Sequence, residues 1–342
     1  MGKYFLYSLV FFTLLFTQCA KSVEPQRYNQ FVLATICQIT LYDEVGESAA
    51  DRAFEELARI ESVFSRSIPS SDVATFNRLS RESAGEMMEY DLTPEVAEVL
   101  SLALDYGEMS RGKYNPAVGP LVDLWGIGTD DARVPLDGEI VEVLPLLNLE
   151  DLNLDGTLLT ALGGTELDLG SIAKGYAADR VKLILEEEGV ERAIVNLGGN
   201  VLVMGNKPDR SLWKIGIQNP LSDRGDYVGI ISMESTSMVT SGNYERFFEV
   251  DGVRYHHILD GNTGYPVENN LAACTIVTPR SIDADALSTT LYSLGLEEGM
   301  AFAEAHDYFE VLFITKDNKI YLSSGLEEDF QLTNGDFTLS RL

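Results

Sequence analysis

Asp285 and Thr289 stand four residues apart in the segment Ser281 to Gly295, where Leu287, Leu291 and Leu294 mark the buried side of a helix and Gly295 its stop. That spacing puts a carboxylate and a hydroxyl on one helical face. Oxygen ligands of this kind suit Mg²⁺, which takes one or two protein groups and completes its octahedron with phosphate oxygens and water. An aspartate early in a helix also complements the helix dipole, but Asp283 fills that role and leaves Asp285 for other work. A second cluster runs from Leu167 to Asp179. The pattern predicts a strand ending at Asp168, a turn at Gly170 and a helix opening near Ser171, with Ala173, Ala177, Val181 and Ile184 on its buried side. Ser171 and Lys174, three apart, then share a face beside free helix N–H groups, an arrangement that attracts anions.

Two further clusters hold polar and aromatic side chains. Lys113-Tyr114-Asn115 opens a turn-rich segment that continues to Gly126. Thr240 to Arg246 precedes His256-His257-Ile258-Leu259-Asp260. Adjacent histidines in a strand point to opposite faces, so one at most serves a given pocket and the other is structural.

The elements that must position these residues follow from periodicity. Phe31 to Tyr42 is apolar and β-branched and predicts one strand, and Ser48 to Phe64 has helical spacing with Ser48 as cap. Thr93-Pro94 opens a second helix, and Arg192 to Met204 predicts two strands joined at Gly198-Gly199. Trp213 to Gln218 and Val228 to Met233 continue as strands. Strands and helices are interspersed without regular alternation, which predicts an α+β fold with mixed and antiparallel sheets rather than a doubly wound parallel sheet. The length of 342 residues suffices for one large domain or two lobes.

The chain carries 25 basic and 54 acidic residues, a net charge of −29, with 45% hydrophobic residues. Such hydrophobicity excludes an acidic disordered chain, and such charge excludes a nucleic-acid backbone as partner. Any anionic substrate needs a metal ion or a well-placed cation. At the N-terminus, Lys3 precedes an apolar run from Tyr4 to Phe16. As a helix it spans about 20 Å, short of the roughly 30 Å hydrocarbon core, so residues 1–18 read as a signal peptide. Cys19 stands where a lipoprotein signal places its modified cysteine, with residues 19–30 as a polar tether and 31–342 as the folded domain. Cys37 and Cys274 then read as buried free thiols rather than a disulfide.

Taken in order, the segments Tyr114 to Gly126, Leu167 to Asp179, Asn196-Leu197-Gly198-Gly199-Asn200, Thr240 to Tyr244, His257 to Asp260 and Asp285 to Thr289 resemble the ApbE family of FAD:protein FMN transferases. The resemblance covers roughly residues 30 to 330. It implies an ApbE-like, T-fold-like architecture and a Mg²⁺-dependent enzyme that cleaves the FAD pyrophosphate. FMN would pass to a threonine of an acceptor flavoprotein and AMP would leave. It further implies Asp285, Thr289 and an oxygen of Ser171 as metal ligands, and Lys113, Tyr114, Asn115, Asp168, Lys174, His257, Ile258 and Leu259 as FAD contacts. Asp285, Lys174 and His257 are the implied catalytic residues. An exported lipoprotein, anchored to the membrane and facing the periplasm, fits the leader.

Three positions depart from the family pattern: Ser67 replaces a common aromatic at the cofactor, Asn115 an aspartate, and Gly261 a proline. Loss of the aromatic admits water as a competing acceptor, so FAD hydrolysis to FMN and AMP stands beside transfer. Two rival readings remain. Ser171-Ile172-Ala173-Lys174, Ser241-Gly242-Asn243 and Asn262-Thr263-Gly264 follow the order of an S-x-x-K serine acyltransferase, with Asn262 in place of the usual lysine. A non-catalytic flavin-binding lipoprotein is the other.

Overall fold

The computed structural model describes residues 24–44, 47–222 and 225–342, so the signal segment 1–18 and Cys19 lie outside the described residues. In chain order the elements are β1 (Gln26–Val32), β2 (Thr35–Leu41), α1 (Ser48–Phe64), α2 (Asp72–Glu82), β3 (Met87–Asp91), α3 (Pro94–Met109), α4 (Gly119–Trp125), α5 (Asp137–Val143), β4 (Asn153–Asp155) and β5 (Leu158–Leu162). They continue as α6 (Ala173–Glu187), β6 (Ala193–Leu197), β7 (Asn200–Met204), β8 (Trp213–Gln218), β9 (Tyr227–Met233), β10 (Ser237–Gly242), β11 (Phe247–Val250), β12 (Val253–His256) and β13 (Leu271–Thr278). The last are α7 (Ser281–Leu294), α8 (Leu296–Glu304), β14 (Glu310–Thr315), β15 (Lys319–Leu322), β16 (Phe330–Leu332) and β17 (Thr338–Ser340).

Nine strands form one sheet in the order β1-β2-β6-β7-β10-β13-β14-β15-β17. Every pair in it is antiparallel except β15 with β17, which makes the α+β sheet mixed. One face packs α1, α3, α6, α7 and α8 into the main core, including Ile39, Leu57, Leu100, Val181, Leu197 and Leu287. The opposite face buries Val203, Met238, Leu312 and Ile314 against the three-stranded sheet β16-β9-β8. A small third core gathers Leu121, Trp125, Ile140, Leu147 and Leu259. It is tied by Trp125, whose indole N–H donates to the Gly264 carbonyl at 2.9 Å.

Four features differ from expectation. No strand ends at Asp168: residues 167–169 pair in no ladder, and Glu166 makes only an isolated bridge to Val118. Ser48 is the first residue inside α1 rather than its cap, and the N-cap position, Glu47, makes no side-chain cap. Phe31 to Tyr42 is not one strand. The chain turns at Leu33 and Ala34, with φ of 56° and 54°, and residues 26–30 of the expected tether are paired in β1. Neither turn residue is a glycine or asparagine, so nothing in composition marks the hairpin, and β1 is polar because it is the sheet edge. The neighbouring turn at Gly198-Gly199, with φ of 64° and 105°, is where the sequence places it. The helix expected near Ser171 begins at Ala173, so Ser171 lies in the preceding turn.

The helices α6 and α7 carry two of the four clusters, those of Lys174 and of Asp285 with Thr289. α7 lies on β10 and β13 and against α6, and its residues 281–293 are buried except Thr289, which is partly exposed. A helix this enclosed must satisfy its polar side chains internally. Ser281 bonds Asn200 and Ser237, Tyr106 donates to Asp283, and Thr290 and Ser293 bond carbonyls one turn back. The contact with α6 is at Gly175, where an added Cβ would lie 2.3 Å from the Ser281 carbonyl oxygen and 2.7 Å from the Ile282 Cα. Both obstacles are backbone and cannot rotate away. Gly175→Ala is therefore expected to destabilise the fold by roughly 1–3 kcal/mol, despite alanine's better helix propensity. Urea denaturation checks this, and a variant as stable as the wild type contradicts the packing argument.

Candidate active site

Each of the two helices supplies a carboxylate to the other's N-terminus. The Gly175 N–H donates to Asp285 Oδ2 at 2.9 Å, and the N–H groups of Ser281 and Ile282 donate to Asp179 at 2.8 and 2.9 Å. These are the unsatisfied first-turn donors of α6 and α7, and an anion beside them is favoured by the helix dipole. Burial nonetheless raises the Asp179 pKa above the usual carboxylate value, opposed by its two backbone N–H bonds. The pairing of 175 with 285 and 179 with 281 runs the helices antiparallel where they touch. One further turn along that register leads to Thr289 on α7 and back to Ser171 before α6.

Asp285 is 4% exposed, and its second oxygen, Oδ1, lies 3.7 Å from Lys174 Nζ. Lys174 also donates to the Gly170 carbonyl at 3.0 Å. Asp168 accepts from the Gly170 N–H at 2.8 Å, which shapes the turn ahead of α6. Ser171 Oγ bonds the hydroxyl of Tyr114 at 3.1 Å, and burial raises the Tyr114 pKa well above the ordinary phenol value. Thr289 Oγ1 is 3.2 Å from Ser241 Oγ at the end of β10. The structure thus gathers Asp168, Ser171, Lys174, Tyr114, Asp285 and Thr289 around the α6–α7 contact. Among the described residues no group of three or more His, Cys, Asp or Glu side chains could hold a metal ion. One carboxylate with a hydroxyl and a nearby serine fits a hard cation that takes its remaining ligands from substrate phosphate and water.

The other expected residues have different surroundings. Lys113 donates to the Ser293 carbonyl at 3.4 Å, a cation at the C-terminal end of α7. Asn115 donates to the Leu147 carbonyl and accepts from the Ala117 N–H, both at 2.8 Å, which braces a turn. Ile258 and Leu259 are buried in two different cores. Ser67 is exposed in the loop between α1 and α2, where its hydroxyl meets Ser65. Cys37 and Cys274 are buried free thiols, and burial pushes the Cys37 pKa up to about 11.

The two histidines have different partners, although only His256 belongs to the strand, so strand alternation does not divide them. His256 ends β12, with Nε2 3.0 Å from the Val267 carbonyl and Nδ1 accepting from the Ile258 N–H. A carbonyl only accepts, so the proton is on Nε2 and the ring is a satisfied structural group. His257 lies past the strand end with Nδ1 3.2 Å from the Arg246 carbonyl, which puts the proton on Nδ1 and leaves Nε2 as an acceptor. Burial first and then the charge of Arg246, with a smaller effect of Lys174, lower the His257 pKa to about 4.

Arg66, absent from the expected set, reaches the same region from the loop after α1. Its guanidinium lies 3.4 Å from Asp168, 3.1 Å from Asp123 and 3.5 Å from Glu166, and donates to the Gly119 carbonyl at 3.2 Å. All four partners are distant in sequence, so no local pattern could have found it.

The α+β fold that holds these two helices is shared with solved flavin transferases. The ApbE protein of Thermotoga maritima superposes with a TM-score of 0.80 and 30% identity over 90% of this chain and 99% of that one. The flavin transferase ApbE of Vibrio cholerae gives 0.79 and 29% over the same shares. The chain belongs to the ApbE family, whose profile matches residues 33–313. It is 35% identical over 300 residues to the FAD:protein FMN transferase of Klebsiella pneumoniae, covering 87% of this chain and 91% of that one. To the FAD:protein FMN transferase of Treponema pallidum it is 34% identical over 345 residues, covering 94% of each.

Burial lowers the pKa of His256, like that of His257, to about 4. Unfolded chains take up these protons near pH 6.5, and the folded protein refuses them until about pH 4. Stability from this source is full above the upper value and is lost as pH falls through the window. His256→Gln keeps a donor for the Val267 carbonyl without a titrating ring, so it is expected to flatten the fall in urea midpoint across that range. An unchanged slope refutes the role given to His256.

Proposed function

We propose that this chain is an FAD:protein FMN transferase that uses Mg²⁺, releases AMP and attaches FMN to a threonine of an acceptor flavoprotein. The observation that carries the reading is the meeting of Asp285, Lys174 and Thr289 at the α6–α7 contact in a chain of net charge −29. A pyrophosphate entering so acidic a protein needs local positive charge, and Lys174 stands beside the carboxylate that would hold a cation. Asp285, Thr289 and an oxygen of Ser171 would bind Mg²⁺. The chemistry it supplies when bound is neutralisation of the pyrophosphate oxygens and stabilisation of the departing phosphate.

The residues of the chain perform the remaining work. Lys174 binds the diphosphate and the Asp168 turn orients it. The acceptor threonine oxygen forms a bond to the FMN phosphorus as the bond from that phosphorus to the AMP oxygen breaks. The threonine proton passes to Nε2 of His257, which is neutral and unprotonated there at pH 7. With water in place of threonine the same sequence yields FMN and AMP.

The acyltransferase reading has less support. Ser171 lies outside α6 and bonds Tyr114, whereas Lys174 faces Asp285 as an ion-paired cation instead of serving Ser171 as a base. We further propose export with lipidation at Cys19, which anchors the domain to the membrane facing the periplasm. No helix among the described residues is long and apolar enough to cross a membrane.

Incubation with FAD and Mg²⁺, with and without a threonine-bearing acceptor, tests the activity by chromatography of AMP, free FMN and protein-bound FMN. Acceptor-bound FMN with matching AMP, abolished by EDTA, is the expected result, and FAD binding without turnover contradicts it. Lys174→Ala should weaken FAD binding at least tenfold, with Lys174→Arg restoring part of it, because the charge returns on a differently shaped group. Wild-type protein should release some FMN without acceptor, and Ser67→Tyr should suppress that release by excluding water. Absence of release from the wild type removes the role given to Ser67.

A further inference from the structure

We propose that Ser241 is a positioning residue that takes the hydroxyl proton of Thr289 and so leaves the Thr289 oxygen free to bind a cation. The inference rests on the reading of Asp285 and Thr289 as cation ligands and adds a residue that sets the orientation of one of them.

Three hydrogen bonds determine the proton positions. Ser288 Oγ lies 2.9 Å from the backbone carbonyl of Asp285, and a carbonyl only accepts, so the single Ser288 proton is committed there. Ser241 Oγ lies 2.8 Å from Ser288 Oγ, and with the Ser288 proton used elsewhere, Ser241 must donate in this pair. Ser241 Oγ also lies 3.2 Å from Thr289 Oγ1, and with its own proton used, Ser241 must accept from Thr289. One proton per hydroxyl leaves a single consistent direction, from Thr289 to Ser241 to Ser288 to the Asp285 carbonyl. Both lone pairs of Thr289 Oγ1 are then directed away from the chain of donors.

The contrast with the next residue shows why the device is needed. A helical threonine commonly donates to the carbonyl one turn back, and Thr290 does so to Ala286 at 2.8 Å. The equivalent carbonyl for Thr289 is that of Asp285, which Ser288 occupies. Without Ser241 the Thr289 proton has no committed partner and can turn into the space where a cation would sit, where it repels. Thr289 is also the one residue from 281 to 293 that is not buried, so its oxygen is open on the side the donors leave free.

The test is a Mn²⁺ titration of the intact, FAD-free protein, followed by the electron paramagnetic resonance signal of free Mn²⁺. Ser241→Ala is expected to weaken Mn²⁺ binding about tenfold, in the range seen when partners of metal ligands are removed. FAD binding in EDTA should stay unchanged, which a general loss of structure would not allow. Ser241→Thr keeps the hydroxyl and should restore affinity. Ser288→Ala keeps Ser241 but releases its proton, and should produce a smaller loss. That variant carries the test if Ser241→Ala does not fold. Wild-type affinity in Ser241→Ala, together with loss of binding in Asp285→Ala, overturns the proposal while preserving the cation site. Absence of Mn²⁺ binding in the wild type overturns the cation site itself, and the proposal with it.

Discussion

The close approach of α6 to α7 at Gly175 is the constraint on which the site depends. A side chain there would strike the backbone at Ser281 and Ile282, so only glycine lets the helices come near enough to exchange carboxylates. Asp285 then reaches the first turn of α6, and Asp179 the first turn of α7. Each aspartate meets amide donors that the helix itself leaves unsatisfied. The exchange sets the register, and the register carries Lys174 to Asp285 and turns Ser171 and Thr289 toward the same region. Asp285 has two tasks with two oxygens: one completes the helix cap, and the other faces Lys174.

A buried helix with so many polar side chains would be costly if any were idle. In α7 nearly all are committed to internal partners, and the one hydroxyl that is open, on Thr289, is held from behind by a chain of serines. The charge of the protein acts in the same direction. At −29 the molecule repels a polyanion, which concentrates the burden of recognition on the cation beside Asp285, Lys174. Arg66 is tied to three carboxylates, one of them Asp168, so its guanidinium fixes the turn before α6 rather than standing free.

The clusters around Asp285 and Lys174 were legible because their spacing is local: four residues on a helix and a glycine turn before a helix start. The hairpin at Gly198-Gly199 and the end of α7 at Gly295 were legible for the same reason. The histidine pair was legible as a pair, but not as strand alternation, because β12 ends at His256. The turn at Leu33-Ala34 was not, since its residues have no preference for positive φ and the sheet imposes the conformation. Lys113, Asn115, Ile258 and Leu259 stand in motif segments, yet Lys113 meets the end of α7, Asn115 braces a turn, and Ile258 and Leu259 fill cores, placements set by tertiary packing. Arg66, Asp179 and Ser241 gain their significance only from partners far away in the chain.

The central claim is that Asp285 holds a cation for FAD cleavage with one oxygen while its other oxygen caps α6, and Asp285→Asn separates the two tasks. The amide oxygen still accepts from the Gly175 N–H, but the charge is gone. Mg²⁺-dependent AMP release from FAD, measured alongside the urea midpoint, should fall to background in a variant whose stability stays near that of the wild type. A well-folded Asp285→Asn protein that releases AMP at the wild-type rate would contradict the account.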